Sequence, residues 1–140
     1  MKPEIELLVA ELTLFNSMFA DGRIGSMTLD ELADLSVKIS AYKVFLGEHV
    51  AALERDADLA EAHYELVREQ AYRDTRKSGA TGADSDNAKR IQSAIEKEAW
   101  IDAKYQFKVV SNLWRDTSSL LDTLRSRLSY EKIELGEAKR

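Results

Sequence analysis

Residues 78–85 read Ser-Gly-Ala-Thr-Gly-Ala-Asp-Ser, and this short stretch decides the fold. It is small and polar, and the apolar periodicity of the chain stops on both sides of it. Gly79 follows Lys77 at a position suited to a left-handed helix cap. Ser85 or Asp86 is suited to cap a following helix. The stretch therefore predicts a turn between two helices.

The segment before the turn predicts one long helix over about residues 28–77. Thr28 and Glu31 form a capping-box signature at its start, and no proline interrupts the segment. At 1.5 Å per residue such a helix would be ~75 Å long, which favours coiled-coil-like packing. Apolar side chains recur every three or four residues along one face, as in a helix. They are Leu32, Leu35, Ile39, Tyr42, Leu46, Val50, Leu53, Ala57, Ala60, Tyr64, Val67 and Ala71.

The segment after the turn predicts a second long helix over about residues 86–135. One apolar stripe consists of Ile91, Ile95, Val109, Leu113, Leu120, Leu124 and Leu128. Another consists of Trp100, Phe107, Trp114 and Leu121, which follow one another every seven residues. Two helices of matched length around a glycine-containing turn predict a long antiparallel helical hairpin.

A shorter N-terminal helix is predicted over about residues 4–20. Its apolar side chains recur at helical spacing, and Pro3 suits the first helical position. A break at residues 21–26, which holds two glycines, separates this helix from the next. The chain is therefore predicted to be all-α, with residues 1–140 forming a single domain.

The apolar face of the second long helix predicts a homo-oligomer. One partner helix covers a stripe roughly 100° wide, and the two stripes of this helix exceed that width. The N-terminal helix spans only ~25 Å, too little to cover the excess on a ~75 Å helix. The predicted oligomer interface is Trp100, Phe107, Trp114 and Leu121. In the alternative interpretation, the N-terminal helix and side-chain stems cover the excess within one chain.

The composition argues against an enzyme. The chain has no cysteine, and no Walker A, GxGxxG, GxSxG or HExxH motif occurs in it. His49 and His63 are fourteen residues apart on one predicted helix, ~21 Å along its axis, too far to share a metal ion. We predict no catalytic residue, no metal site and no cofactor. No apolar run approaches the ~20 residues that span a bilayer, so we expect no membrane partner. The absence of cysteine fits a reducing cytoplasm, where we expect the protein to be.

Charge is unevenly distributed along the chain, whose formal net charge is −5. Residues 1–62 hold five basic and twelve acidic side chains, whereas residues 63–140 hold fifteen and thirteen. A basic cluster with one aromatic side chain flanks the turn at residues 78–85. It consists of Arg68, Tyr72, Arg73, Arg76, Lys77, Lys89 and Arg90.

Such a cluster is typical of single-stranded nucleic-acid binding, in which cations meet phosphates and an aromatic ring stacks on a base. The alternative explanation is structural. Arg73, Arg76 and Lys77 lie at the end of a predicted helix, where cations stabilise the helix dipole without any ligand.

Several segments resemble the UvsY-like family of phage recombination mediators, over about residues 32–136. They are Lys38-x-x-Ala41-Tyr42, Arg68-Glu69-Gln70-Ala71-Tyr72, the restart at Ile91 and Ile95, Ser119-Leu120-Leu121-Asp122-Thr123-Leu124-Arg125-Ser126-Arg127, and Glu134-Leu135-Gly136. Arg68 matches one of the family's DNA-contacting basic positions, whereas Leu66 stands at another and is not basic. The helix before Gly22 has no clear counterpart in the family.

The resemblance implies an all-helical protein that forms ring-like oligomers and binds single-stranded DNA. It also implies that the protein helps a RecA-like recombinase to displace single-strand-binding protein, in the cytoplasm of a phage-infected bacterium. The alternative is a non-enzymatic protein–protein interaction module, such as a phage structural protein, scaffold or inhibitor, without nucleic-acid binding. The wide apolar face and the acidic N-terminal half favour that alternative.

Overall fold

The structure, a computed structural model, describes residues 1–138, and every regular element in that range is helical. The elements are α1 (Pro3–Ala20), a 3-10 turn (Arg23–Ser26), α2 (Leu29–Lys77), α3 (Gly82–Gln92) and α4 (Ala94–Ala138). The all-α prediction is confirmed. The homo-oligomer stays a prediction.

The packing divides the chain into two compact units. Unit 1 comprises residues 1–50 together with the chain from residue 109 onward, and unit 2 comprises residues 51–108. α1 belongs to unit 1 and α3 to unit 2, whereas α2 and α4 contribute residues to both. The single-domain organisation stays a prediction.

The start of α2 follows the predicted capping box. The Thr28 backbone N–H donates to the Glu31 carboxylate at 2.8 Å, and the Glu31 N–H donates to the Thr28 hydroxyl at 3.3 Å. The end of α2 follows the predicted glycine cap, because Gly79 has a φ of 90°. Left-handed backbone of this kind strains any residue with a Cβ.

The second half of the chain departs from the predicted single helix in two places. Helix α3 begins at Gly82, because its capping residue is Thr81. The sequence predicts Ser85 or Asp86 as the cap. The Thr81 hydroxyl accepts from the Asp84 N–H at 3.2 Å and donates to the Asp84 carboxylate at 2.7 Å. A break at Ser93 then separates α3 from α4, and the Ser93 hydroxyl donates to the Lys89 carbonyl at 2.6 Å.

Unit 1 has a core of large aliphatic side chains from three helices. The buried residues of α2, Leu32, Ile39 and Leu46, follow one another every seven residues, as in a coiled coil. α1 adds Ile5, Leu8 and Leu12, the 3-10 turn adds Ile24, and α4 adds Val110, Thr117, Leu120, Leu121 and Leu124. Within this unit α2 and α4 run antiparallel. Gly47 lies against Trp114, and Gly25, near the start of α2, accepts a hydrogen bond from Arg127 at 3.3 Å.

Unit 2 has a core of small side chains. Within residues 51–108, all of which the structure describes, the buried residues are Ala57, Ala71, Ser85 and Ser93. The helices again run antiparallel, and the Tyr64 ring of α2 stacks on the Trp100 ring of α4 with centroids 5.5 Å apart. The expectation that Ile91 and Ile95 belong to the apolar packing face of one continuous helix is wrong, because both are exposed.

Candidate interaction surfaces

The basic end of unit 2, defined as Arg68, Tyr72, Arg73, Arg76, Lys77, Lys89 and Arg90, brings α2 and α3 together. Lys89 Nζ lies 5.3 Å from the centroid of the Tyr72 ring, a cation–π distance, and 3.0 Å from the Asp86 carboxylate. One face of Tyr72 is therefore occupied by a cation of the same chain. Stacking of Tyr72 on a base stays a prediction, and it would use the other face of the ring.

The other cations of the basic end differ in exposure. Arg73, Arg76, Lys77 and Arg90 are exposed, whereas Arg68 is half-buried. The Arg76 guanidinium donates to the Ala80 carbonyl at 3.2 Å, which stabilises the turn after α2. The Arg90 guanidinium donates to the Asn87 side chain at 3.1 Å. Each guanidinium has further N–H groups that face solvent and could meet a phosphate.

Acidic side chains lie in the same segments as these cations. Glu69, Asp74, Asp84 and Asp86 are all exposed. Residues 66–92 hold six basic and four acidic side chains, so the basic end is net positive in a chain that is net negative. Local charge of this sign favours a polyanion, with an affinity that falls as salt rises.

The four residues predicted as an oligomer interface do not share one environment. Leu121 is only 2% exposed in the core of unit 1, so its side chain packs within the chain and offers almost no surface to a second copy, and this part of the prediction is wrong. Trp100 is half-buried between Tyr64 and Lys104, whose Nζ lies 5.0 Å from the Trp100 ring. Phe107 is half-buried as well, and Trp114 is 38% exposed. A repeat of seven residues therefore does not by itself mark an exposed stripe.

The exposed large apolar side chains of unit 2 lie on three helices, and they are Leu59, Leu66, Ile91, Ile95, Ile101 and Tyr105. Ile95 is 79% and Leu66 is 66% exposed. Leu66 also lines a groove of about 380 Å³ between α2 and α3, with Val67, Gln70, Ala71, Asp74 and Gln92. The periodicity assigned Ile91 and Ile95 to a packed face. The break at Ser93, which has no strong sequence signal, is one reason that the periodicity fails there.

The three helices of unit 1 leave a groove along each of their contacts. The α2–α4 groove, of about 350 Å³, is lined by Ser40, Lys43, Val44, Gly47, Trp114, Leu121 and Arg125. Gly47 makes room for the indole, because a Cβ at this position would lie 3.2 Å from Trp114 Nε1. Lys43 Nζ lies 5.0 Å from the Trp114 ring. The lining of this groove therefore combines apolar side chains, the two small residues Ser40 and Gly47, and two cations.

The α1–α2 groove of unit 1 has the opposite charge. It is lined by Glu4, Leu7, Leu8, Glu11, Ala41, Tyr42 and Phe45. Hydrogen bonding to Glu11 raises the pKa of Tyr42, and partial desolvation and the Glu11 charge raise it further. Leu7 and Phe45 are exposed here, and the sequence interpretation missed both, because they lie outside the main apolar stripes. The α1–α4 groove is more polar, with Thr13, Asn16 and Asp116 among its lining residues.

Residues 1–138 show neither a metal site nor a membrane-spanning helix. In this range no three His, Asp or Glu side chains converge as a metal site would require. No helix in the same range has both the length and the apolar character that crossing a bilayer requires.

Comparison with known proteins finds no family model, no curated protein and no solved structure that matches the chain.

Proposed function

We propose that this chain works as a homo-oligomer in which unit 2 packs against unit 2 of a second copy. The observation that supports the proposal is a mismatch within unit 2. Its buried residues are two alanines and two serines, whereas six large apolar side chains are exposed. Helical layers are stable when an apolar face is covered by another layer, and a second copy supplies that layer. In this proposal α2 pairs with the returning α3 and α4 as one hairpin.

The expected affinity follows from the size of the apolar surface. A Leu or Ile side chain contributes about 1.5–3 kcal/mol when it becomes fully buried. Five such side chains, which are 53–79% exposed before association, contribute on the order of 10 kcal/mol, against an association cost of about 4–15 kcal/mol. The two terms are of similar size, so we expect a reversible oligomer whose mass depends on concentration.

The test is the mass of the full chain by light scattering over a range of concentrations. We expect a mass above the 15.8 kDa of one chain, and a lower mass in the double variant Leu66→Lys with Ile95→Lys. A matched control, Val37→Lys with Ile133→Lys, adds the same charge at exposed apolar positions of unit 1 and should keep the oligomer. A wild-type chain that is monomeric at every concentration, or a double variant that keeps its mass, contradicts the proposal.

The second part of the proposal is that the oligomer binds single-stranded DNA at the basic end of unit 2. Arg73, Arg76, Lys77 and Arg90 support it, because all four are exposed, the first three near the end of α2 and Arg90 in the last turn of α3. An oligomer repeats this cluster in every copy, which raises the avidity for a long polyanion. Since Lys89 covers one face of Tyr72, we expect phosphate contacts to contribute more than stacking.

Fluorescence anisotropy with a labelled oligothymidine at low and moderate salt tests DNA binding. Arg73→Glu, Arg76→Glu and Arg90→Glu together should abolish binding, and milder Gln variants should flatten the salt dependence by up to about one unit of slope per lost contact. Arg55→Glu, Lys97→Glu and Lys108→Glu form the matched control. They make the same change of charge at exposed positions of unit 2 outside the basic end. Absence of binding by the wild-type chain at low salt leaves the protein-only interaction module as the function.

The more specific role, as a recombination mediator, rests on the family resemblance. It names a RecA-like recombinase and single-strand-binding protein as partners. The corresponding assay measures the DNA-dependent ATPase of such a recombinase on DNA that is coated with single-strand-binding protein. A mediator shortens the lag before ATP hydrolysis, and an unchanged lag in the presence of a DNA-binding oligomer removes this role while the DNA-binding function stands.

A further inference from the structure

Unit 1 carries two surfaces of opposite charge, and both have exposed apolar side chains that no part of the unit covers. The first is the outer face of α1, on which Leu7 and Leu14 are exposed. They are seven residues apart and therefore lie on the same side of the helix. Glu4 and Glu11 lie beside Leu7 in the α1–α2 groove, and residues 3–20 contain no Lys or Arg.

The second surface is the α2–α4 groove. Its walls include Val44, which is 70% exposed, and the edge of Trp114. Its lining also includes Ser40 and Gly47, and the Trp114 indole of the same chain lies against Gly47. The charged residues that line this groove are Lys43 and Arg125, both cations.

These two surfaces are complementary in charge, and both have exposed apolar side chains. An amphipathic helix binds a hydrophobic groove through apolar side chains spaced about one or two turns apart. α1 offers Leu7 and Leu14 in that spacing, with carboxylates beside them, and the α2–α4 groove offers apolar walls with cations. Because the two surfaces are different parts of unit 1, each copy can contact one neighbour through α1 and another neighbour through the groove.

We propose that the outer face of α1 in one copy docks into the α2–α4 groove of a second copy, with Glu4 and Glu11 opposite Lys43 and Arg125. This contact joins two different surfaces, so it is heterologous and propagates from copy to copy, either closing into a ring or growing as a chain. It uses residues of unit 1 only and is independent of the unit 2 contact proposed above.

The test uses two variants with reversed charge. Variant A carries Glu4→Lys and Glu11→Lys, and variant B carries Lys43→Glu and Arg125→Glu. Within each variant the two surfaces have charge of the same sign, so self-association should weaken at least about tenfold. In an equimolar mixture, α1 of A faces the groove of B, and α1 of B faces the groove of A. Every contact between A and B is again between opposite charges, so the mixture should regain the mass of the parent chain that carries neither set of substitutions.

The experiment is done in the full chain with Leu66→Lys and Ile95→Lys, so that failure of the unit 2 contact and failure of the unit 1 contact are distinguishable. Masses of A, of B and of the mixture are measured by light scattering at one total concentration. The fourfold variant, with both surfaces reversed in one chain, should associate like the parent. Its recovery also shows that the substitutions leave the fold intact.

The result expected is monomeric A, monomeric B and an assembled mixture. The proposal is overturned if the parent is monomeric at every concentration, if A or B alone retains the mass of the parent, or if neither the mixture nor the fourfold variant assembles. Raising the salt from low to about 0.5 M should weaken the parent assembly, since exposed charge pairs are screened within a few ångströms at that ionic strength.

Discussion

Units 1 and 2 both contain segments of α2 and α4, but they differ in the side chains that they bury. In unit 1 the seven-residue positions of α2 are Leu32, Ile39 and Leu46, and all three are completely buried. In unit 2 the same series continues as Leu53, Ala60 and Val67, and all three are half-buried. Unit 1 also has α1 as a third helix. A seven-residue repeat can therefore continue along α2 while the buried side chains change from large aliphatic ones in unit 1 to small ones in unit 2.

The largest expected effect is the loss of a core leucine in unit 1. Leu46→Ala should lower the free energy of unfolding by about 3 kcal/mol, because it leaves a cavity among completely buried neighbours. The matched change in unit 2, Leu66→Ala, should cost less than about 0.5 kcal/mol in dilute monomer, because that side chain is exposed. Urea unfolding followed by circular dichroism measures both. An equal loss in the free energy of unfolding for the two variants would contradict this difference between the units.

Gly47 tests how tightly α2 and α4 approach in unit 1. Gly47→Leu should lower the stability by about 1–3 kcal/mol, because even its Cβ would lie 3.2 Å from Trp114 Nε1. With Trp100→Phe in the background, the emission of Trp114 should shift to longer wavelength as the indole is displaced into water. Gly136→Leu is the matched control, since a Cβ there meets open space, and it should leave the emission of Trp114 unchanged.

Hydrogen exchange measures the difference between the two units at individual backbone amides. Amides of residues 51–77 should exchange at least about tenfold faster than those of residues 29–50 in dilute protein, because a core of small side chains resists local opening less. At higher concentration the difference should narrow as a second copy covers unit 2. Equal protection in the two halves of α2 at low concentration contradicts the expectation.

The smallest expected effect concerns one hydroxyl in the core of unit 1. Thr117 is completely buried, and its Oγ1 has no hydrogen-bond partner. Thr117→Val should therefore raise the free energy of unfolding by about 1 kcal/mol, since the new methyl group has no desolvation cost. The control is Thr123→Val, which removes an exposed hydroxyl that donates to Ser119 at 3.0 Å and should not stabilise the chain. Thermal unfolding of both variants decides the sign.

Local signals in the sequence determined the helical class and most of the boundaries. The capping box at Thr28, the glycine cap at Gly79 and the seven-residue series of α2 all depend on residues close in the chain, so each can be recognised without the fold. The cations of the basic end were recognised in the same way, because they cluster around one turn. The contact between Lys89 and Tyr72 was not predictable, since it depends on how α2 and α3 approach each other.

Tertiary structure alone decided which apolar residues are covered. Periodicity places a residue on a face of its helix, but the number and position of neighbouring helices determine whether that face is buried. For this reason the sequence could not show that Leu121 is buried in unit 1 while Ile91 and Ile95 are exposed in unit 2. It also could not show that Gly47 is small because Trp114 lies against it, or that two oppositely charged surfaces border the same three helices.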